Sequence, residues 1–320
     1  MADAPLSPAT VPAAPKRPTW SHRAEYAATR VIVAALRLLP WTWASAVGGA
    51  IGRLGYWPLG IRRGVTERQI AAAFPDRPAA EVARLARGSF ESLGRTSIET
   101  AILPGSSASE VLARVAWVEG WELVEAALAR GQGLIIVTGH LGNWEFGAAY
   151  FAARRVALDI VVRGMANPLF DAYLTRTRGE AGVAVVRDKE SVRRTPRSLR
   201  ENRAVAFVAD HDALGLASTF VPFFGRPAKT PRGPAVFALR LGTPTVFVAI
   251  LRQPDGRYGV RILPVETTPT GDREADVDAI VLRYTQILEG LVREVPAQYF
   301  WQHRRWRRQP PDTPPHLREP

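Results

Sequence analysis

Gln132-Gly133-Leu134-Ile135-Ile136-Val137-Thr138-Gly139-His140-Leu141-Gly142-Asn143-Trp144-Glu145-Phe146-Gly147-Ala148-Ala149 is the stretch whose reading decides the fold. Leu134 to Val137 form a short, apolar, largely β-branched run, the pattern of a buried strand. Thr138 to Asn143 read as a turn, and from Asn143 the pattern becomes helical. Asn143 suits an N-cap, and Glu145 falls in the first turn, where the macrodipole favours a carboxylate. In open α/β sheets ligands bind at the carboxyl ends of strands. His140 therefore stands where a general base belongs, and Glu145, five positions on, is placed to fix its tautomer and stabilise the imidazolium. The alternative is a surface histidine beside a helix cap. Of the five histidines, His140 alone follows a clean strand signal and opens a helix, between two glycines that let a ligand come close.

Working outward, strands are expected at 133–138, 158–163, 183–187, 204–209 and 244–251, with another at 258–263 after the Pro254-Asp255-Gly256 turn. Helices are expected near 143–154, 168–180, 190–202, 232–241 and 275–294. That alternation predicts an α/β fold with a mostly parallel sheet flanked by helices. Upstream, residues 64–103 carry an apolar stripe at helical spacing, split into two helices at Pro75-Asp76, and 119–130 is a further short helix. Residues 22–39 are helical in pattern up to Pro40. Residues 38–52 give fifteen positions without a charge, bounded by Arg37 and Arg53. That is short for a membrane span, and with Arg62-Arg63 beyond it reads as an interfacial helical hairpin, a tilted single span being the alternative. The expected division is an Ala/Pro-rich tail over 1–19, a membrane-associating segment over 20–63, a catalytic domain over 64–308 and a Pro-rich tail over 309–320. No apolar h-region follows the first residues, so the tail does not read as a signal peptide.

The chain of 320 residues is 47% hydrophobic and has no cysteine, which excludes disulfides, a thiolate nucleophile and Cys-ligated metal. Its net charge is +12, and all but three of its 42 basic residues are arginines. Such a balance suits an anionic partner: nucleic acid, an acidic membrane surface or a phosphorylated substrate. Trp41, Trp43 and Trp57 near one end and Trp301 and Trp306 near the other neighbour arginines, as at a membrane–water interface, or else simply pack. A nucleic-acid binder would interleave basic and stacking aromatic residues on one surface. Here the Trp–Arg groups lie at the two chain ends, outside the α/β core, and no nucleic-acid partner is expected.

Further candidates sit at other strand ends. Arg163 ends one strand and could bind a phosphate bidentately. Asn167-Pro168 opens the next helix, with Arg178 and Gly182 at its far end. Asp210-His211-Asp212 follows another strand, as a metal site or as hydrogen-bond acceptors; three consecutive residues rarely all face one ion, so no metal is expected. Phe220-Val221-Pro222-Phe223-Phe224-Gly225 is either core or the wall of a tunnel for an apolar chain. Thr230 as N-cap with Pro231 after it predicts a helix start, an anion site between Lys229 and Arg232. No G-x-S-x-G is present, which argues against a serine esterase.

These residues occur in an order that resembles the bacterial lipid A biosynthesis (late, lauroyl/myristoyl) acyltransferase family, a branch of the lysophospholipid acyltransferase superfamily. The resemblance covers roughly residues 25–308. It rests on Gly139-His140-Leu141-Gly142-Asn143-Trp144-Glu145, an H-x4-E pattern, then Arg163 with Asn167-Pro168, Arg178 with Gly182, Asp210-His211-Asp212, the Phe220–Gly225 run, Thr230 and the closing Trp301-x-His303-Arg304-Arg305. Ala73-Phe74-Pro75 matches the early region. Gln69-Ile70 stands where Asn-Leu is usual, and Gly164 where Pro often follows the arginine. The resemblance implies a glycerolphosphate acyltransferase-like mixed sheet flanked by helices, with N-terminal membrane-associating helices. It implies transfer of a fatty acyl chain from acyl carrier protein (or acyl-CoA) to a hydroxyl of a phosphorylated glycolipid, most simply a lipid A precursor. A phosphatidylinositol mannoside or other glycolipid acceptor is the alternative. His140 and Glu145 would be catalytic. Asn143, Arg163, Asn167, Arg178, Asp210, His211, Asp212 and Thr230 would bind substrate. No metal or redox cofactor is required. The expected place is the cytoplasmic face of the inner membrane, peripheral or single-span, against anionic lipid.

Overall fold

A computed structural model describes residues 17–211 and 217–320. Seven strands form one mixed sheet in the order β1 (Val115–Glu119), β9 (Tyr258–Pro264), β8 (Thr245–Arg252), β2 (Leu134–Thr138), β5 (Ala204–Val208), β3 (Leu158–Val162) and β4 (Val183–Arg187). From β8 to β4 all strands are parallel; β9 runs antiparallel to β8, and β1 runs parallel to β9. The expected α/β alternation is thus present, with a reversed edge. Leu134 to Val137 are buried, as a central strand covered on both faces requires.

Register places the site. Thr138 on β2 pairs with Val208 on β5, so the residues two beyond each, His140 and Asp210, emerge side by side at the carboxyl edge. Val161 on β3 pairs with Phe207, which brings Arg163 to the same edge. One face of the sheet carries α6 (Trp121–Ala129), α7 (Trp144–Ala153) and α5 (Ala108–Ala113), with α8 (Pro168–Glu180) beyond α7. The other face packs α9 (Ser191–Arg200), α10 (Gly233–Leu241) and α11 (Arg273–Glu294).

Upstream lie α1 (Trp20–Leu36), α2 (Trp41–Tyr56), α3 (Arg63–Ala73) and α4 (Ala79–Ile102). Pro40 opens α2, so the helical hairpin runs over 20–56, as α1 and α2, and not within the uncharged run 38–52, which is the connecting turn and most of α2. The inner face of α2 meets α4 at backbone range. A Cβ on Gly48 would lie 2.5 Å from the Gly94 carbonyl oxygen, and one on Gly52 2.0 Å from that of Phe90. The outer face leaves large apolar side chains in solvent: Val31 and Ile32 on α1, Trp43, Ile51 and Leu54 on α2, and Trp57 after it. Among the described residues no helix is long and apolar enough to cross a membrane.

Two expectations need correction. Thr230 does not cap a helix: it pairs with Thr219 in a hairpin of β6 (Ser218–Phe223) and β7 (Arg226–Pro231), and α10 starts later, after Arg232, with Pro234 in its first turn. The turn of that hairpin is Phe224-Gly225, both at positive φ, as a two-residue hairpin turn demands. Pro231, lacking an N–H, ends a strand of this two-stranded sheet instead of starting a helix. Trp301, Arg305 and Trp306 are almost fully buried, so the C-terminal Trp–Arg group is core and not an interfacial girdle. Phe223 and Phe224 are buried with them, which answers the tunnel-or-core question for those two rings in favour of core. Residues 309–320 pack back on the protein, with Arg226 donating to the Arg318 carbonyl at 2.7 Å and Gln309 to that of Leu317 at 2.7 Å.

Candidate active site

The turn between β2 and α7 is held from four sides. Gly142 sits at φ +62°, and a Cβ there would lie 1.9 Å from the Ile250 carbonyl oxygen, so only glycine fits. Its N–H donates to Gln298 O at 3.0 Å, the Asn143 N–H to Ile250 O at 3.0 Å, and the Thr96 hydroxyl to Gly142 O at 3.0 Å. Asn143 caps α7, its Oδ1 accepting from the Phe146 N–H at 3.0 Å. Its Nδ2 donates to Glu99 at 2.8 Å and to the Tyr258 hydroxyl at 3.1 Å, and the residue is fully buried. Asn143 therefore shapes the turn, with its side-chain oxygen and nitrogen both engaged inside the protein.

Glu99, on α4, is the centre of that buried network. It pairs with Arg252 of β8 and accepts from Tyr258 at 2.7 Å and from Ser45 of α2 at 2.6 Å. Burial opposes its charge, but the Arg252 guanidinium and the hydroxyls hold its carboxyl below the ordinary value. The sequence offered no local signal for this group: its members come from α2, α4, α7, β8 and β9.

His140 Nδ1 lies 2.7 Å from Asp210 Oδ1, and its own backbone N–H donates to Asp210 Oδ2 at 2.9 Å. Burial works against the Asp210 charge, but the His140 and His211 imidazoles and the two hydrogen bonds from His140 hold the carboxyl well below the usual range. An ionised carboxylate only accepts, so His140 Nδ1 carries the proton and, in the neutral ring, Nε2 keeps its lone pair. The imidazole that Glu145 was expected to hold is thus held by Asp210. Glu145 instead receives Arg178 NH2 at 2.8 Å on each of its oxygens. That ion pair lines a cleft of about 460 Å³ walled by Ala148, Ala149, Ala152 and Ala153 of α7.

His211 stacks on His140 with centroids 3.6 Å apart and planes 6° apart, and His303 stacks on His211 at 3.7 Å. Burial, then the neighbouring His140, His303 and Arg305, push the His211 imidazole well below its ordinary value; Asp210 alone among its partners pulls it upward. Donor atoms of His140, Asp210 and His211 lie within 4.8 Å of one another, the spacing of a metal site. As arranged they do not converge. The two rings lie in near-parallel planes, so their in-plane lone pairs cannot meet at one ion, and His140 Nδ1 is engaged by Asp210.

The other expected residues disperse. Arg163 lies past β3, largely exposed, with Nε 3.4 Å from Asp188. Asn167 caps α8 and staples α1 to it, donating to His22 O at 3.1 Å and to Glu25 at 2.9 Å. Thr230 is buried with its hydroxyl accepting from Arg305 Nη2 at 2.6 Å, and the helix expected to open there starts after Arg232 instead. Asp212 lies outside the described residues. Gln69, one of the departures from the family pattern, clamps the C-terminal segment: it donates to Trp301 O and His303 O and accepts from the Arg305 N–H.

The family description that matches residues 16–308 is bacterial lipid A biosynthesis acyltransferase. The lipid A biosynthesis lauroyltransferase of Escherichia coli (strain K12) is 27% identical over 278 residues, covering 86% of this chain and 89% of that protein. The lipid A biosynthesis palmitoleoyltransferase of the same strain is 26% identical, covering 85% and 87%. A phosphatidylinositol mannoside acyltransferase of Mycobacterium tuberculosis (strain CDC 1551 / Oshkosh) is 28% identical over 65% of this chain and 67% of its own length.

Proposed function

The chain belongs to the bacterial lipid A biosynthesis acyltransferase family, and from that premise we propose that it moves a fatty acyl chain from an acyl carrier protein thioester, or acyl-CoA, to a hydroxyl of a phosphorylated glycolipid of the lipid A precursor class. The observation that carries this reading is the His140–Asp210 pair at the carboxyl edge of the sheet. His140 Nε2 takes the proton of the acceptor hydroxyl as its oxygen attacks the thioester carbonyl carbon. The tetrahedral intermediate collapses, the C–S bond breaks, and the leaving thiolate takes the proton back from the imidazolium. Asp210 keeps the tautomer and stabilises the imidazolium. The oxyanion needs donors. From His140 to Phe146 the backbone N–H groups of residues 140–143 and 146 have partners within the protein. Those of Trp144 and Glu145, at the positive end of α7, are the ones left to face an oxyanion.

Glu145 and Arg178 act as a pair that walls the cleft, and Arg163 offers a guanidinium to a phosphate at the open edge. The exposed apolar face of α1 and α2, with arginines 23, 30, 37 and 53 nearby, supports peripheral docking on an anionic membrane, at the cytoplasmic face of the inner membrane where the donor is made. The mycobacterial relative supports a second reading, with the same chemistry on a phosphatidylinositol mannoside. The test is transfer by the purified protein in mixed micelles, with carrier-bound and CoA-bound donors, offered both acceptors together and read by mass spectrometry. Acylated lipid A precursor is the expected product; acylation of the mannoside alone would transfer the assignment, and acyl release to water alone would overturn it.

A further inference from the structure

We propose that the outer face of α9 is the docking surface for an acidic acyl carrier protein; this rests on the reading that the donor is carrier-bound. Arg193, Arg197 and Arg200 follow one another at spacings of four and three, which aligns them on one stripe of the helix; Arg194 flanks it, and Lys189 precedes it on the short 3-10 turn 188–190. All five are exposed. Arg197 meets Glu201 at 2.9 Å, while Lys189, Arg193, Arg194 and Arg200 have no carboxylate partner among the described residues. Like charges at these spacings repel one another along the helix. Glu201 relieves that repulsion at Arg197, and an anionic partner would relieve it at the others.

The position fits the chemistry. β4 delivers the chain to the carboxyl edge at Arg187, and α9 begins there at Ser191. β4 lies three strands from β2, so the start of the stripe stands about 14 Å across the sheet from the catalytic turn. That separation calls for a donor held on a flexible arm, not one seated against the base. Val192, among the most exposed large apolar residues, lies about a quarter turn round the helix from Arg193 and gives the basic stripe an apolar margin, the make-up of a protein contact more than of a solvated face. A membrane is the poorer occupant. The apolar surface suited to lipid belongs to α1 and α2, and α1 is stapled to α8 on the opposite face of the sheet from α9. On α9, Val192 is the one large apolar side chain exposed. Charge pairing at such a surface speeds encounter and weakens with salt.

The test compares the wild-type protein with Arg193→Glu/Arg194→Glu and with Arg130→Glu/Arg240→Glu, an equal charge change at exposed positions near the amino ends of the strands. Binding of a labelled acyl carrier protein is measured at low and high salt, transfer is measured from carrier-bound and CoA-bound donors, and co-sedimentation is measured with anionic vesicles. The expected result is carrier binding weakened at least tenfold in the α9 variant, with the salt dependence reduced and with vesicle binding and melting temperature unchanged. The control variant should behave as wild type. Carrier binding equal in both variants overturns the proposal, as does loss of vesicle binding in the α9 variant with carrier binding intact. A wild-type protein that transfers from acyl-CoA and binds no carrier also overturns it and removes the carrier from the functional reading, while acyl transfer itself stands.

Discussion

Across a separation of seventy residues, His140 Nδ1 and Asp210 Oδ1 lie 2.7 Å apart, whereas Glu145, on the same turn as His140, gives both of its oxygens to Arg178. The parallel register of β2 and β5 makes the first pair, and the approach of α8 to α7 makes the second.

Asp210→Asn should therefore lower kcat by about 10²–10⁴ with little change in KM, and should move the acid limb of the pH–rate profile. Glu145→Gln should leave that limb in place and cost about 1 kcal/mol of stability through the weakened pairing with Arg178. Steady-state kinetics across pH on both variants decides the matter. A shifted limb in Glu145→Gln with none in Asp210→Asn would reverse the assignment.

Acid should destabilise the protein through His211. Burial, with the His140 and His303 rings and the Arg305 guanidinium beside it, holds its imidazole neutral, so its folded value lies below the unfolded value of about 6.5. Below that pH the unfolded chain binds a proton that the native state does not. Stability is whole above about 6.5 and falls as pH drops toward the folded value, by about 1.4 kcal/mol per unit. His211→Phe keeps the stack and removes the titration. Melting temperatures at pH 7.5, 6.5 and 5.5 should show a shallower decline in the variant; parallel declines would mean that His211 is not the group responsible.

The two glycines of the catalytic turn should differ. Gly142→Ala meets the Ile250 carbonyl from a left-handed backbone and should cost about 2–4 kcal/mol along with most activity. At Gly139 an added Cβ meets the ends of the Leu288 side chain at 2.9 Å, which can move, so Gly139→Ala should cost about 1–2 kcal/mol. Chemical denaturation of both variants tests the contrast, and equal losses would contradict it.

Trp43→Ser/Ile51→Ser/Leu54→Ser removes apolar side chains from the outer face of α2 without touching its packing on α4. Co-sedimentation with anionic vesicles should weaken by about tenfold or more, with the melting temperature unchanged. Undiminished co-sedimentation would move the anchor elsewhere, and the buried Trp301 and Trp306 are not available for it.

Most of the α/β order was legible because buried parallel strands and amphipathic helices write their periods directly into the chain. Leu134–Val137 and the stripe on α4 are examples. The β6–β7 hairpin was missed because Thr230-Pro231 carries a strong helix-start pattern, and pairing with Thr219 outweighed it. At the site, His140 was readable from its place after a strand. Its carboxylate partner was not, since H-x4-E spacing is local and the choice between Glu145 and Asp210 depends on register. Glu99 could not have been found at all from spacing, because its partners are drawn from elements that meet only in the folded protein.

The Ser45–Glu99–Asn143 connection, together with the glycine crossing of α2 on α4, makes the first hairpin a poor candidate for modular exchange. A cut at residue 63 would strip a hydroxyl from a buried carboxylate and bare the α4 backbone at Gly94, so loss of activity after such a cut would report a damaged catalytic wall as much as a lost anchor. For the same reason a hairpin grafted from a relative has to match at Ser45, Gly48 and Gly52 before its outward face matters. The outward apolar surface of α2 and the turn that carries His140 are therefore joined through one buried contact, so a change on either side of it is felt on the other.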